Sequence, residues 1–459
     1  MVGSWGGLAH RPSHCLTRAR VYLPRRRNCN GFTDAGRRFC CRGKRDFCYY
    51  RDQPGAAAAP RDTLSAIADT GPIPMLKKTL LSLLVLLIIG LILITVGRQP
   101  AALDHNTYSY QMLQPGPYKF ASEDITLEDA SRPTQANGDF PGSASRKLVT
   151  RLWLPEARAL TTPQPLLIYS HGFMSSRIGG THIAKHLASL GYIVAAPDFP
   201  LTNFNAPKPQ LVKDVVNQPG DVSFIIDRLL ARSRSRGDAL YGAIDERRIA
   251  VAGLSLGGMT TSLVAFHPTM GDPRIAAAVS IAGPSFMFTP AFYQHHRLPF
   301  MMIASPIDAM VSYPDNALPI VHDVNDAVLV SITDASHAGF SYQSQALRWL
   351  DNPDALGCWA IKDKTHTAGE EPWYDTIGSP EQGVVAAAAP PLCATDPLPR
   401  SMNPIRQQWF ATLAVTSFLQ SLFAPQELER SRYRQFLLQQ LAYENPEVTV
   451  QAGPGRFAQ

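Results

Sequence analysis

Short apolar runs bounded by loop residues alternate with stretches of helical spacing through the middle of the chain, and this alternation predicts most of the architecture. Lys147 to Leu154 and Leu166 to Ser170 read as strands, Thr181 to Leu190 as a helix, Tyr192 to Ala196 as a strand and Val222 to Arg232 as a helix. Ile249 to Ala252, Ala276 to Ala282, Phe300 to Ala304 and Ala327 to Ile332 follow as further strands. Strands this short and this uniformly apolar are buried on both faces. The pattern therefore predicts an α/β fold with a mostly parallel central sheet and helices on both faces. From Ile405 to Leu422 the apolar positions Trp409, Leu413, Val415, Phe418, Leu419 and Leu422 recur at helical spacing, which predicts a closing helix. A second amphipathic run, Glu427 to Tyr443, reads as packing, and no internal repeat is present.

Residues 352–404 break the rhythm with many Pro, Gly and Ala, and read as an insertion near the active edge of the sheet, either a lid or a passive surface loop. Residues 99–145 are polar and punctuated by Pro115-Gly116-Pro117, Pro133 and Gly138, as in a spacer. The main domain is thus expected over 146–445, with 446–459 as a tail. Upstream, Leu80 to Gly97 runs for 18 residues without a charge, just enough for a helix to cross a bilayer core. Lys77 and Lys78 precede it and only Arg98 follows closely, which places the N-terminus in the cytoplasm and the body outside. A retained anchor over 75–98 is the preferred reading. Cleavage after Thr95-Val96-Gly97, with secretion of the body, is the alternative.

Composition sharpens this picture at the N-terminus. The 459 residues are 45% hydrophobic and carry a formal charge of +6, but residues 1–74 hold 13 of the 43 basic and 5 of the 37 acidic residues. The rest of the chain, with 30 basic against 32 acidic residues, is close to neutral. Arg25-Arg26-Arg27 and Arg37-Arg38 are therefore solvated tail charge, and no nucleic-acid site is expected. Residues 1–74 read as a disordered tail or, since Met75-Leu76-Lys77-Lys78 makes a good start, as sequence upstream of the true initiator. Cys15, Cys29, Cys40, Cys41 and Cys48 lie there without zinc-site spacing. Cys358 and Cys393 are the remaining pair, and in an exported domain they are expected to form a disulfide.

The candidate chemistry centres on Gly253-Leu254-Ser255-Leu256-Gly257, set between the strand-like Arg248 to Ala252 and the helix-like Met259 to Phe266. A serine at the apex of a strand-turn-helix corner is a nucleophile elbow, and Gly253 and Gly257 lack the Cβ atoms that would block so tight a bend. A serine hydroxyl needs a base to take its proton and a third group to orient that base. In a parallel sheet such groups sit just beyond the C-terminal ends of strands. Asp308 lies four residues after Ala304 and His337 five after Ile332, so these are the expected acid and base. Asp315 and Asp326 are weaker candidates for the acid, and His295, His296 and His322 precede their strands and read as loop or surface residues. The backbone N–H groups of Phe173, in Ser170-His171-Gly172-Phe173, and of Leu256 are the expected donors to a developing oxyanion. His171 reads as structural. His182 and His186, four apart on a helix with no third ligand nearby, read as surface residues, and neither a metal nor an organic cofactor is expected.

With these residues in place, Lys147 to Phe340 resembles the dienelactone hydrolase and platelet-activating-factor acetylhydrolase group of α/β-hydrolases. The likeness rests on Ser170-His171-Gly172, on Leu190 to Asp198, on Asp221 to Asp227 and on Asp245 to Gly258. It implies an α/β-hydrolase fold, a triad of Ser255, Asp308 and His337 in the family's chain order, and an oxyanion hole at Phe173 and Leu256. True dienelactone hydrolases carry a cysteine nucleophile where this chain has Ser255. The expected activity is hydrolysis of a small-molecule or lipid carboxylic ester. Amide or peptide cleavage by the same triad, and an inactive membrane-tethered binding module, are the alternatives.

Overall fold

The computed structural model describes residues 73–156, 162–361, 376–385 and 388–458. The chain divides into Met1–Gly71 and Pro72–Gln459, and every described residue belongs to the second unit. The basic N-terminal tail, with its arginine clusters and five cysteines, lies outside the described residues.

Among the described residues, nine strands form one sheet: β1 Phe120–Asp129, β2 Arg146–Pro155, β3 Gln164–Ser170, β4 Ile193–Asp198, β5 Ile244–Leu254, β6 Ile275–Ile281, β7 Phe300–Ala304, β8 Ala327–Ile332 and β9 Val448–Ala452. Their spatial order is β1-β2-β4-β3-β5-β6-β7-β8-β9. The six from β4 to β8 in that order are parallel, while β1, β2 and β9 join by antiparallel pairing. The helices in chain order are α1 Ile73–Gly97, α2 Tyr108–Met112, α3 Thr181–Ser189, α4 Gln218–Arg234, α5 Leu256–Phe266, α6 Tyr313–Asn316, α7 Ile320–Asp323, α8 Asp354–Ile361, α9 Pro404–Phe423, α10 Glu427–Gln435 and α11 Leu441–Glu444.

Alternate residues of a strand point to opposite faces, so each central strand feeds two cores. Leu166 and Ile168 of β3 pack in one cluster with Val222 and Ile225 of α4 and Met259 and Leu263 of α5. Leu167 and Tyr169 pack in the other, with Ile183 and Leu187 of α3 and Phe410 and Leu413 of α9. With both faces covered, the parallel strands present their C-terminal ends along one shared edge, and this edge holds the site.

Two expectations at the margins require correction. The stretch 99–145 is no spacer, since it contains α2 and the edge strand β1, which pairs along its whole length with β2. Glu123, Asp124 and Glu128 of β1 face solvent, as an edge strand allows, while Phe120, Ile125 and Leu127 pack toward the cores. Likewise 446–459 is no loose tail, because β9 closes the opposite edge against β8, with Val448 opposite Ile332.

Helix α1 carries exposed leucine and isoleucine side chains from Leu80 to Ile92. Among the described residues no helix is long and apolar enough to cross a membrane. The side chains of 93–97, the end of the uncharged run noted in the sequence, lie outside the described residues.

Candidate active site

Strand β5 ends at Leu254 and α5 begins at Leu256, so Ser255 alone makes the corner. Its backbone sits at φ 57° and ψ −121°. A residue with a Cβ pays about 1–3 kcal/mol for such a conformation unless its surroundings fix it. Here they do: Ser255 N–H donates to the Ile281 carbonyl at 2.8 Å, and the Ser255 carbonyl accepts from Gly258 and Met259 at 2.8 and 3.1 Å. The flanking glycines are required by close approach. A Cβ on Gly253 would collide with the Gly257 carbonyl, and a Cβ on Gly257 would collide with the carbonyl of Ser170 at the end of β3.

Asp308 follows β7 and His337 follows β8, and because these strands are parallel neighbours their loops meet. His337 Nδ1 lies 2.8 Å from Asp308 Oδ2, and both side chains are buried. The other carboxylate oxygen of Asp308 accepts from the N–H groups of Met310 and Val311, each at 2.8 Å, which fixes the orientation of the carboxylate. Nδ1 is thus committed as the donor to Asp308, and Nε2 is the ring nitrogen left for a substrate or nucleophile. Burial disfavours the imidazolium, but the Asp308 charge and hydrogen bond, joined by the charge of Asp354, outweigh it. His337 therefore titrates above its ordinary value.

Ser255 and His337 line a common cavity of about 910 Å³, and the loop after β3 reaches it through Phe173. Leu256, whose N–H belongs to the first turn of α5 and so has no acceptor within the helix, lines it as well. His171 does not reach the cavity wall. Its Nδ1 lies 2.7 Å from the Gly172 carbonyl and its Nε2 accepts from Phe199 N–H at 3.1 Å, so the ring stays neutral and ties the β3 loop to the end of β4. Burial lowers its pKa in the same sense.

The insertion supplies part of the cavity wall through Leu356, Gly357, Ala360 and Ile361 of α8 and through Leu392. A disulfide joins Cys358 and Cys393, with Cα atoms 5.8 Å apart. Of the other polar candidates, Asp315 accepts from the Ser312 hydroxyl and Asp326 from the N–H of Arg456, both away from His337. His295 and His322 are exposed. His182 and His186 are a correction: they are not surface residues but half-buried, and burial pushes His182 down to about 3 and His186 to about 4. The ring of His182 stacks on Tyr342. Among the described residues no group of three His, Cys, Asp or Glu can hold a metal ion.

Two residues at the site carry no expectation from the sequence. Gln407 of α9 grips the loop before His337, accepting from Ser336 N–H at 3.1 Å and donating to the Ser336 carbonyl at 2.7 Å. Asp354, at the start of α8, accepts from the N–H groups of His337 and Ala338 at 2.9 and 2.7 Å. Pro353-Asp354 reads locally as a helix start, and nothing in that spelling connects it to a loop at residue 337.

Residues 156–349 match the family described as PET hydrolase-like. A ferulic acid esterase from Streptomyces cinnamoneus is a similar solved structure, 18% identical, covering 72% of this chain and 96% of its own, with a TM-score of 0.45. No curated protein matches the chain. The family match and the resemblance drawn from the motifs fall within one superfamily, and a strand-elbow-helix corner at the C-terminal edge of a mostly parallel sheet is its architecture. Over residues 156–349 the chain is thus similar to the PET hydrolase-like family, and its sheet and corner have the form of an α/β-hydrolase fold.

Proposed function

We propose that the protein is a serine esterase in which Ser255 is the nucleophile, His337 the general base and acid, and Asp308 the group that orients His337. The observation that carries this reading is the 2.8 Å pairing of His337 Nδ1 with Asp308 Oδ2 on a cavity whose wall also holds Ser255. In the first half-reaction His337 Nε2 takes the Ser255 proton as Oγ attacks the ester carbonyl. The charge that develops on the carbonyl oxygen is received by the N–H groups of Phe173 and Leu256. His337 then gives its proton to the leaving alcohol, and an acyl group remains on Ser255. Water enters, loses a proton to His337 and attacks the acyl carbonyl, which releases the acid and restores the serine.

The cavity is large and its wall is mainly apolar, which suits an ester with an extended hydrocarbon or aromatic acyl part. The PET hydrolase-like description of the matched family adds PET to the substrates worth screening. We further propose that the run Leu80 to Gly97 tethers the domain at a membrane with the body on the non-cytoplasmic face. The Cys358–Cys393 disulfide supports that side, since such bonds persist in oxidising compartments. The test is a series of p-nitrophenyl esters of increasing acyl length, each paired with the anilide of the same acid and run beside Ser255→Ala. Ester turnover that vanishes in the variant supports the reading, and preferential cleavage of the anilides overturns it.

A further inference from the structure

A buried carboxylate lies beside the His337–Asp308 pair and takes no part in the steps above. Asp354 is fully buried at the first turn of α8. Its Oδ2 accepts from His337 N–H at 2.9 Å and from Ala309 N–H at 3.3 Å, and its Oδ1 accepts from Ala338 N–H at 2.7 Å. Its own N–H is held by Asn352 Oδ1 at 2.9 Å. One side chain from the insertion thus bridges the loop after β7, one residue past Asp308, and the loop after β8, at His337 itself.

The chemistry of that choice is specific. Burying a charge costs several kcal/mol unless hydrogen bonds compensate it, on the order of what a large core truncation costs. Three convergent N–H groups demand an acceptor-only side chain with two oxygens, and a carboxylate is the one that meets them without presenting a donor. An asparagine at the same place would turn its NH₂ toward at least one of those N–H groups. The insertion grips the Asp308 loop a second time, because Cys393 N–H donates to the Ala309 carbonyl at 2.6 Å and Cys393 is bonded to Cys358, one turn beyond Asp354 on α8. α8 also lines the cavity, through Leu356, Gly357, Ala360 and Ile361.

We propose that Asp354 is a positioning residue for the triad: its carboxylate locks the backbone of the two loops together so that His337 and Asp308 meet, and its charge favours the imidazolium that forms during turnover. This rests on the reading of Ser255, His337 and Asp308 given above. The charged groups that face His337 are Asp308, from the β7 loop, and Asp354, from α8. Burial, with the Asp308 charge adding, pushes the Asp354 carboxyl above its usual range, while His337 and the two N–H donors from His337 and Ala338 oppose this.

The experiment compares wild type with Asp354→Asn, Asp354→Ser and Ser255→Ala, all as the full chain, on one p-nitrophenyl ester across pH. In Asp354→Asn we expect kcat to fall about 10- to 100-fold with KM within about twofold, the loss that misplacement of a catalytic group by roughly an ångström causes. The acid limb of the kcat/KM profile should move to lower pH, since losing a negative neighbour makes the imidazolium easier to deprotonate. Asp354→Ser, which keeps a small acceptor and leaves room for water, should show the same loss and the same direction of shift, and it carries the test if the asparagine variant does not fold. A folded variant lacking the carboxylate, with wild-type kcat and an unmoved limb, overturns the proposal. Activity retained in Ser255→Ala would instead overturn the underlying reading of the site.

Discussion

The disulfide between Cys358 and Cys393 fastens the insertion that walls the cavity, and its removal tests whether that insertion is structural. The two cysteines are 35 residues apart in sequence. Closing a loop of that length in the unfolded chain stabilises the folded state by roughly 4 kcal/mol on the chain-entropy relation. A domain stable by about 5–15 kcal/mol would lose a large share of its margin. The perturbation is the double change Cys358→Ser with Cys393→Ser, read by guanidinium unfolding through tryptophan fluorescence. With a guanidinium slope of several kcal/mol per molar, the midpoint should fall by about 0.5–1 M. Because Cys393 N–H also holds the Ala309 carbonyl, and α8 carries Asp354, kcat should fall in native buffer as well. Equal midpoints and equal kcat in the two proteins would refute the reasoning, showing that the bond closes no loop that matters to the fold or the site.

Two further outcomes follow from the site. His337 must be neutral to act as a base, and its partners hold its titration above the ordinary histidine value of 6.5, so kcat/KM on a neutral ester should rise with pH along a limb centred above about 6.5. A limb centred clearly lower, in assays from pH 5 to 9, would contradict the pairing of His337 with Asp308. Gly257→Ala would drive a methyl group into the Ser170 carbonyl, so unfolding measurements should show a loss of about 1–3 kcal/mol or more, together with loss of activity. Unchanged stability and rate would mean that the elbow has room the structure denies it.

Much of the centre of the molecule was legible in the sequence because buried parallel strands leave a plain signature. β7 and β8 have the very bounds read from their apolar runs, since neither face of either strand meets water. The corner at Ser255 was legible from the glycine spacing together with the strand-like and helix-like flanks. Asp308 and His337 were reached by a geometric argument, that side chains beyond the ends of parallel strands share one edge. The edges of the sheet were not legible. β1 mixes Glu123, Asp124 and Glu128 with few core-facing residues, Phe120, Ile125 and Leu127, and so resembles a polar spacer until its pairing with β2 is seen. His182 and His186 misled because polar residues on a helix suggest solvent, whereas α3 lies against α9 and Tyr342 covers the ring of His182. Asp354 had no local signal at all. Its role depends on three loops meeting in space, and only its place at the start of α8 is written in its neighbours.

The most direct test of the central claim is covalent labelling of the full-length protein with a fluorophosphonate, followed by peptide mass spectrometry and an ester assay on the same sample. One adduct per molecule on Ser255, lost together with ester hydrolysis in a Ser255→Ala variant that unfolds at the wild-type midpoint, is the predicted result. An adduct on another residue, or ester hydrolysis that persists when Ser255 is alanine, would contradict the account.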